Sequence, residues 1–220
     1  MQDADGDPLP VPSPRRRSAP TFLAMARPRT YDRETALDHA LGVFERLGYE
    51  AASLQDLVDG TGLSRSSLYA EFGSKHGLYL AALDRYRSDG TSRLEETFAA
   101  APTALAGIEA YLDSVVRGAG DGDEPPAAGC LVTNVAVEVA ARDAETARRV
   151  RQSLDGLLAA FERQIERAQA EGEVAPEADA RALAESVVTT VYGLRTMSKA
   201  GASRALAARV ARRQVERLRR

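Results

Sequence analysis

The stretch GLSRSSLYAEFGSK, residues 62–75, decides the fold of the first part of this 220-residue chain. Ser64 and Ser74 each stand where a helix can begin, because a serine side chain accepts a hydrogen bond from a free N–H group of the first turn. Leu63 and Leu68 flank the first of these caps at the spacing of a hydrophobic staple. The stretch therefore predicts a short helix after Ser64 and the start of a longer helix after Ser74.

Two further helices are predicted on the N-terminal side of this stretch. Between Asp32 and Gly48 the apolar residues recur at steps of three and four, which gives one apolar helix face between an N-cap and a C-terminal glycine. A shorter helix begins at Ser53 and ends in the turn at residues 59–62. Isolated helices of about eight residues are unstable in water, so the two short helices must pack on the longer one. This arrangement is a helix-turn-helix.

The second short helix is polar near its N-terminus. Arg65, Ser66, Ser67 and Tyr69 lie opposite its apolar face. A helix in the major groove of DNA reads base edges with its N-terminal residues, and short side chains let its backbone approach closely. A merely solvated helix face is the alternative, but the agreement of cap, staple and preceding helices favours DNA binding.

Lys75 and His76 occupy the first turn of the helix that follows. Cations at this end oppose the helix dipole, at a cost of up to about 1 kcal/mol each. A DNA phosphate would reverse the sign of this effect, because helix N-termini bind phosphates and a lysine adds to the attraction. We therefore predict that Lys75 and His76 lie beside a phosphate of bound DNA.

The remainder of the chain is also predicted to be helical. Its amphipathic segments cover about 103–118, 130–141, 143–171, 177–200 and 203–220. The predicted fold class is all-α, with a three-helix helix-turn-helix DNA-binding domain at residues 25–90 and a larger helical domain at residues 91–220. Residues 1–24 are rich in Pro, Asp and Ser and are predicted to form a disordered extension. Translation from Met25 instead of Met1 is an open alternative.

Composition excludes several classes of protein. No run of 18 uncharged apolar residues predicts a membrane span, and the N-terminal apolar stretch is too weak for a signal peptide, so we expect a cytoplasmic protein. Two histidines and one cysteine exclude multi-histidine metal sites and an intramolecular disulfide. Hydrolase, nucleotide-binding and redox motifs do not occur. We therefore expect no enzyme activity and no cofactor.

Residues 36–86 resemble the N-terminal domain of the TetR family of transcriptional regulators. The shared features are an apolar helix that ends in Gly48-Tyr49, a serine that opens the second helix, GLSRSSLYAEF as recognition helix, and the SK pair. Gly77 departs from the family pattern, which has Glu or Asp at this position. The departure removes a capping-box partner and is expected to weaken the start of the fourth helix.

The resemblance implies a role for each residue of the DNA-binding surface. Tyr69 and Lys75 are implied to contact backbone phosphates, and Ser53 to cap its helix beside a phosphate. The residues implied to face the bases are Arg65, Ser66 and Ser67. Arg27 and Arg29, in the arm before the first helix, are expected to supply non-specific affinity because acidic side chains balance the charge of the domain itself.

The resemblance also implies the partners. A homodimer would bind two half-sites of a double-stranded DNA operator roughly 34–36 Å apart. The expected regulator is a repressor that leaves its operator when an unidentified small-molecule effector binds the C-terminal domain, without any membrane partner. The dimer surface is implied on the helices near residues 150–171 and 177–200, where the candidate contacts are Leu158, Phe161, Val188 and Tyr192. A role of these apolar residues in the core of one chain is the open alternative.

Cys130 stands at the predicted N-terminus of a helix, a position that lowers the pKa of a thiol and favours reaction with oxidants or electrophiles. The alternative functions are therefore a thiol-based redox or electrophile sensor and a helical interaction module without DNA binding. A packing role is the competing interpretation of the cysteine. Asn134 is the polar candidate for orienting a ligand, and Tyr111 and Val115 are candidates for lining its pocket.

Overall fold

The computed structural model describes residues 32–118, 131–132, 138–140 and 142–219. Eight α-helices lie wholly within these residues. None of the described residues belongs to a strand, so the predicted all-α class is confirmed. The helices are α1 (Arg33–Leu47), α2 (Leu54–Thr61), α3 (Arg65–Phe72), α4 (Lys75–Ala100), α5 (Ala104–Arg117), α6 (Ala144–Ala170), α7 (Ala180–Lys199) and α8 (Arg204–Leu218). None of the described helices is both long and apolar enough to cross a bilayer.

Side-chain caps fix where these helices begin. Every one of the eight follows a polar residue in extended conformation whose side chain accepts a hydrogen bond from a backbone N–H group of the first turn. These N-caps are Asp32, Ser53, Ser64, Ser74, Thr103, Asp143, Asp179 and Ser203. Because such caps are visible in the sequence, the predicted starts of the first four helices agree with the structure.

The first hydrophobic core lies between α1, α2, α3 and the first half of α4. Phe44 of α1 is fully buried and meets the Tyr79 ring edge-on at 5.0 Å. Arg33 Nε donates to Glu71 Oε1 at 3.0 Å, which joins the start of α1 to α3. Arg85 of α4 forms ion pairs with α1, which join these two helices. This packing holds α3 with its polar face outward.

The second core lies between the end of α4 and helices α5 to α8. Leu94 and Phe98 of α4 are buried in it, and Phe98 meets Phe161 of α6 at a centroid distance of 5.5 Å. Helix α4 is therefore continuous through the predicted domain boundary at residues 90 and 91 and contributes to both cores. The two hydrophobic cores are joined by one rigid element.

The short segments before α6 pack against the first core. Leu131, Val132 and Val139 are buried there. Glu138 Oε2 accepts a hydrogen bond from the Tyr49 N–H at 3.4 Å. Gly48 has φ +79°, and Glu138 fills the space that a side chain at position 48 would need, so the end of α1 is closed by a residue distant in sequence.

Candidate nucleic-acid interface and internal cavity

The N-terminal half of α3 presents a polar surface. Ser64 Oγ accepts a hydrogen bond from the Ser67 N–H at 3.1 Å and lies 2.9 Å from the hydroxyls of both Ser66 and Ser67. The three hydroxyls form one cluster at the helix N-terminus, with Arg65 exposed beside it. Small side chains and free N–H groups at this end allow close approach to a base edge or phosphate.

Leu68 and Tyr69 show that α3 has the predicted orientation. Leu68 is buried in the first core, whereas 47% of the Tyr69 surface is exposed. An exposed tyrosine of this size next to a polar helix end offers a ring and a hydroxyl to a partner. The surface formed by Arg65, Ser66, Ser67 and Tyr69 is called the α3 surface below.

Ser53 is bound to a carboxylate in a capping box. Ser53 Oγ donates to Asp56 Oδ2 at 2.6 Å, and the Asp56 N–H donates to Ser53 Oγ at 3.1 Å. Hydrogen bonds from the Ser53 hydroxyl and then from its backbone N–H hold the pKa of Asp56 below its ordinary value. The N-terminus of α2 therefore already holds a negative charge, which the sequence interpretation did not include.

Lys75 has partners that offset its unfavourable place in the first turn of α4. Its Nζ lies 4.7 Å from the centre of the Tyr49 ring and donates to the Glu50 carbonyl oxygen at 3.4 Å. A cation–π contact and a carbonyl acceptor both stabilise an ammonium group. Contacts within the chain thus give a second reason for a lysine here, besides the predicted phosphate.

His76, in the same helix turn, is half-buried and contacts residues outside α4. Its Nε2 lies 3.6 Å from Asp143 Oδ2, the N-cap of α6, and its ring meets the Tyr49 ring edge-on at 6.0 Å. Lys75 and His76 both lie against the Tyr49 ring, but His76 also reaches the start of α6. His76 joins α4 to α6, and we leave it out of the DNA contacts proposed below.

Several predicted site residues lie outside the described residues: Arg27, Arg29, Cys130 and Asn134. The hypotheses about the arm and the thiol sensor therefore stay predictions. Val115 is buried in the second core and Tyr111 lies beside a cavity. Leu158, Phe161 and Val188 are also buried in the second core, and Tyr192 packs against both cores, which is the alternative that the sequence left open.

A cavity of about 200 Å³ lies between α4, α5, α6 and α7. Its apolar and aromatic wall includes Leu94, Tyr111, Val132, Leu157, Ala160 and Tyr192. Arg87 and Arg195 also line it, and Arg195 Nη2 donates to the Tyr111 hydroxyl at 3.1 Å. The sequence interpretation found Tyr111 but missed both arginines. Arg87 stands among other charged residues of α4, so its sequence context does not single it out.

Comparison with known proteins agrees with this architecture. Residues 36–82 match the family described as bacterial regulatory proteins, tetR family, and residues 104–214 match the family described as Tetracyclin repressor-like, C-terminal domain. The HTH-type transcriptional repressor ComR of Escherichia coli (strain K12) is 32% identical to the chain, over 80% of this chain and 84% of ComR.

Solved structures show the same fold. A cysteine mutant of the TetR family transcriptional regulator CifR, complexed with 26-base-pair double-strand operator DNA, is 32% identical, with a TM-score of 0.74 over 86% of this chain and 98% of CifR. The reduced form of E. coli NemR shares the fold at 17% identity, with a TM-score of 0.75 over 83% of this chain and 94% of NemR. The chain therefore belongs to the TetR family of bacterial regulatory proteins and is a helix-turn-helix DNA-binding transcriptional regulator.

Proposed function

We propose that this regulator is a cytoplasmic, homodimeric repressor without enzyme activity, which binds a double-stranded DNA operator and leaves it when a small molecule enters the cavity. The observation that carries the proposal is the α3 surface, a polar helix N-terminus held outward by a buried leucine. The similarity to the repressor ComR and to CifR, whose mutant binds operator DNA, supports it.

Within the α3 surface we assign base contacts to Arg65, Ser66 and Ser67. Tyr69 is assigned to a phosphate, because its exposed hydroxyl projects from the same helix face. Lys75 is also assigned to a phosphate, which would contact the side of its ammonium group that faces away from the Tyr49 ring. The arm residues Arg27 and Arg29 are proposed to add sequence-independent affinity.

Release is proposed to act through α4. This helix has 26 residues and spans about 39 Å. Lys75 is its first residue, whereas Arg87 and Leu94, farther along, line the cavity. We propose that α4 has two orientations. A ligand that binds the chain more tightly in one of them increases the population of that orientation, and the α3 surface moves with the helix.

The dimer surface is proposed on the exposed side of α7. Its buried side, with Val188, faces the second core and is therefore unsuited to bind a second copy. Thr189, Gly193 and Met197 recur on the exposed side at steps of four residues. A Thr189→Arg variant is expected to lower the mass measured by analytical ultracentrifugation from dimer to monomer and to weaken operator binding.

DNA binding is tested with labelled DNA from the region upstream of the protein's own gene, beside a scrambled sequence, across a salt series. We expect saturable binding that prefers the upstream DNA and weakens as salt rises. The chain has two lysines, so Lys199→Gln is a matched control for Lys75→Gln. Lys75→Gln should weaken binding to both DNAs and lower the salt slope by about one for each protomer, whereas Lys199→Gln should not.

A base contact should behave differently from a phosphate contact. Ser66→Ala is expected to reduce the preference for upstream over scrambled DNA, because a lost base contact is worth about 1–3 kcal/mol of discrimination. The absence of binding to either DNA at low salt would contradict the proposal and favour the interaction module instead. Equal changes in DNA affinity and salt slope for Lys75→Gln and Lys199→Gln would mean that Lys75 does not contact DNA.

A further inference from the structure

Among the described residues that line the cavity, arginines outnumber acids. Four arginines and one acid, Glu95, are among the residues that line it. The arginines are Arg87 and Arg93 of α4, Arg163 of α6 and Arg195 of α7. Three helices thus contribute arginines to the wall of one partly open cavity, where Arg87 and Arg195 are half-buried. A bound anion would be attracted to guanidinium groups on this wall.

Arg87 has an unsatisfied donor at this cavity. Its Nη1 donates to Asp84 Oδ1 at 3.2 Å, but its Nε is buried and has no hydrogen-bond partner. Buried donors in native proteins are nearly always satisfied, so this one is expected to gain an acceptor when a ligand fills the cavity. The planar guanidinium suits an acceptor with two oxygens, such as a carboxylate.

Other residues that line the cavity are suited to contact an apolar group. Tyr111 is buried and forms ring contacts with Phe98 and Phe161, which hold it in place. Leu94 and Leu157 also line the cavity. The volume of about 200 Å³ is below the usual range for drug-sized ligands, about 300–1,000 Å³, so the occupant must be small.

We propose that the effector is a small organic carboxylate with a compact apolar or aromatic body. Arg87 and Arg195 bind its carboxylate, and the tyrosine and leucine side chains pack against its body. The inference deepens the proposed function and rests on it for the statement that this ligand releases DNA. Binding of the acid itself depends only on the cavity.

The test uses benzoate and hexanoate as probes, with benzamide as the neutral match for benzoate and inorganic phosphate as an anion without an apolar body. Thermal unfolding of the full chain is measured with each. We expect both acids to raise Tm, by about 5–10 °C at a concentration a hundred times Kd, and benzamide and phosphate to leave it unchanged. An equal rise with benzamide, a rise with phosphate alone, or no rise with either acid would overturn the proposal.

Variants test which arginines bind the carboxylate. Arg87→Gln and Arg195→Gln should each weaken benzoate binding at least tenfold in calorimetry. Arg181→Gln is the matched control, because Arg181 pairs with Glu162 and Glu185 and is not among the lining residues. The Tm of each variant without ligand shows whether it folds. If the Arg195→Gln variant does not fold, the benzoate affinity of the Arg87→Gln variant is the test. Unchanged affinity in a folded Arg87→Gln variant overturns the assignment.

DNA release is measured separately from binding. Addition of benzoate to the complex with upstream DNA should dissociate it, whereas benzamide should not. Acid binding by a chain that binds no DNA would overturn the proposed function and leave the ligand class intact. DNA binding by a chain that ignores both acids would overturn the ligand class and leave the regulator intact.

Discussion

The α3 surface and the cavity are built from the sequence in different ways. Arg65 and Tyr69 lie within one helix turn of each other, and a cap and a staple next to them fix their direction. Arg87, Arg163 and Arg195 instead come from three helices and meet only when both the long α4 and the second core have formed. Local rules therefore predict the first site, whereas the second depends on tertiary packing.

The largest expected effects test whether the two regions fold separately. Phe44→Ala in the first core and Phe161→Ala in the second should each lower the free energy of unfolding by about 3–5 kcal/mol, since both side chains are fully buried. Because α4 belongs to both cores, we expect one cooperative transition for wild type and each variant. Denaturant unfolding followed by circular dichroism and by tyrosine fluorescence should give coincident curves.

Two separated transitions would contradict this expectation and would mean that α4 transmits little between the cores. If a Phe→Ala variant does not fold, Phe44→Leu and Phe161→Leu provide the same comparison at a smaller cost. Each is expected to destabilise the chain by about 1 kcal/mol.

A smaller effect concerns Gly77, where α3 meets α4. A Cβ atom at this position would overlap the Phe72 carbonyl oxygen, so glycine permits the close approach of the two helices. Gly77→Ala should lower the free energy of unfolding by about 1–3 kcal/mol. Gly90→Ala in the same helix is the control, because its Cβ would meet nothing, and it should raise the free energy by up to about 1 kcal/mol. Stabilisation by both substitutions would refute the close-approach explanation.

Gly77 also shows how much of the molecule the sequence predicts. Its departure from the family pattern is visible in the sequence and removes one half of a capping box, while the other half remains, since its N–H donates to Ser74 Oγ at 2.9 Å. The approach of the Phe72 carbonyl depends on the angle between α3 and α4, which a capping motif does not specify. Helix class, the caps of α1 to α4 and the outward face of α3 follow from local hydrogen bonds and periodicity. The contact between His76 and Asp143 and the arginines of the cavity do not follow from them.

A third prediction concerns Asp143, which joins the two regions. Its Oδ2 accepts a hydrogen bond from the Thr146 N–H at 2.7 Å and lies 3.6 Å from His76 Nε2. Asp143→Ala removes both contacts and should lower the free energy of unfolding by about 1 kcal/mol. Asp143→Ser keeps the cap and removes only the charge, so it should cost less. An equal loss for the two variants in thermal unfolding would mean that the contact to His76, and not the cap, stabilises the junction.

The smallest effects compare a local carboxylate with an assembled one at acid pH. Asp56 accepts its hydrogen bonds from Ser53, three residues away, whereas Glu171 Oε2 accepts one from the Ala104 N–H at 2.7 Å across the second core. The hydrogen bond from the backbone N–H of Ala104 is the main cause that holds the pKa of Glu171 below its ordinary value, and those from Ser53 lower the pKa of Asp56. Both carboxylates therefore stabilise the fold above pH values of about 4 and lose this contribution as pH falls through the lowered pKa.

The two contributions differ in the unfolded chain. A capping box between neighbouring residues persists in part wherever nascent helix remains, whereas the contact of Glu171 needs the folded core. The difference in pKa between folded and unfolded chain should thus be larger for Glu171. We expect Glu171→Gln to flatten the fall of Tm between pH 7 and about pH 3 more than Asp56→Asn does. Equal flattening by the two variants, measured by thermal unfolding at constant ionic strength, would show that the assembled contact has no advantage over the local one.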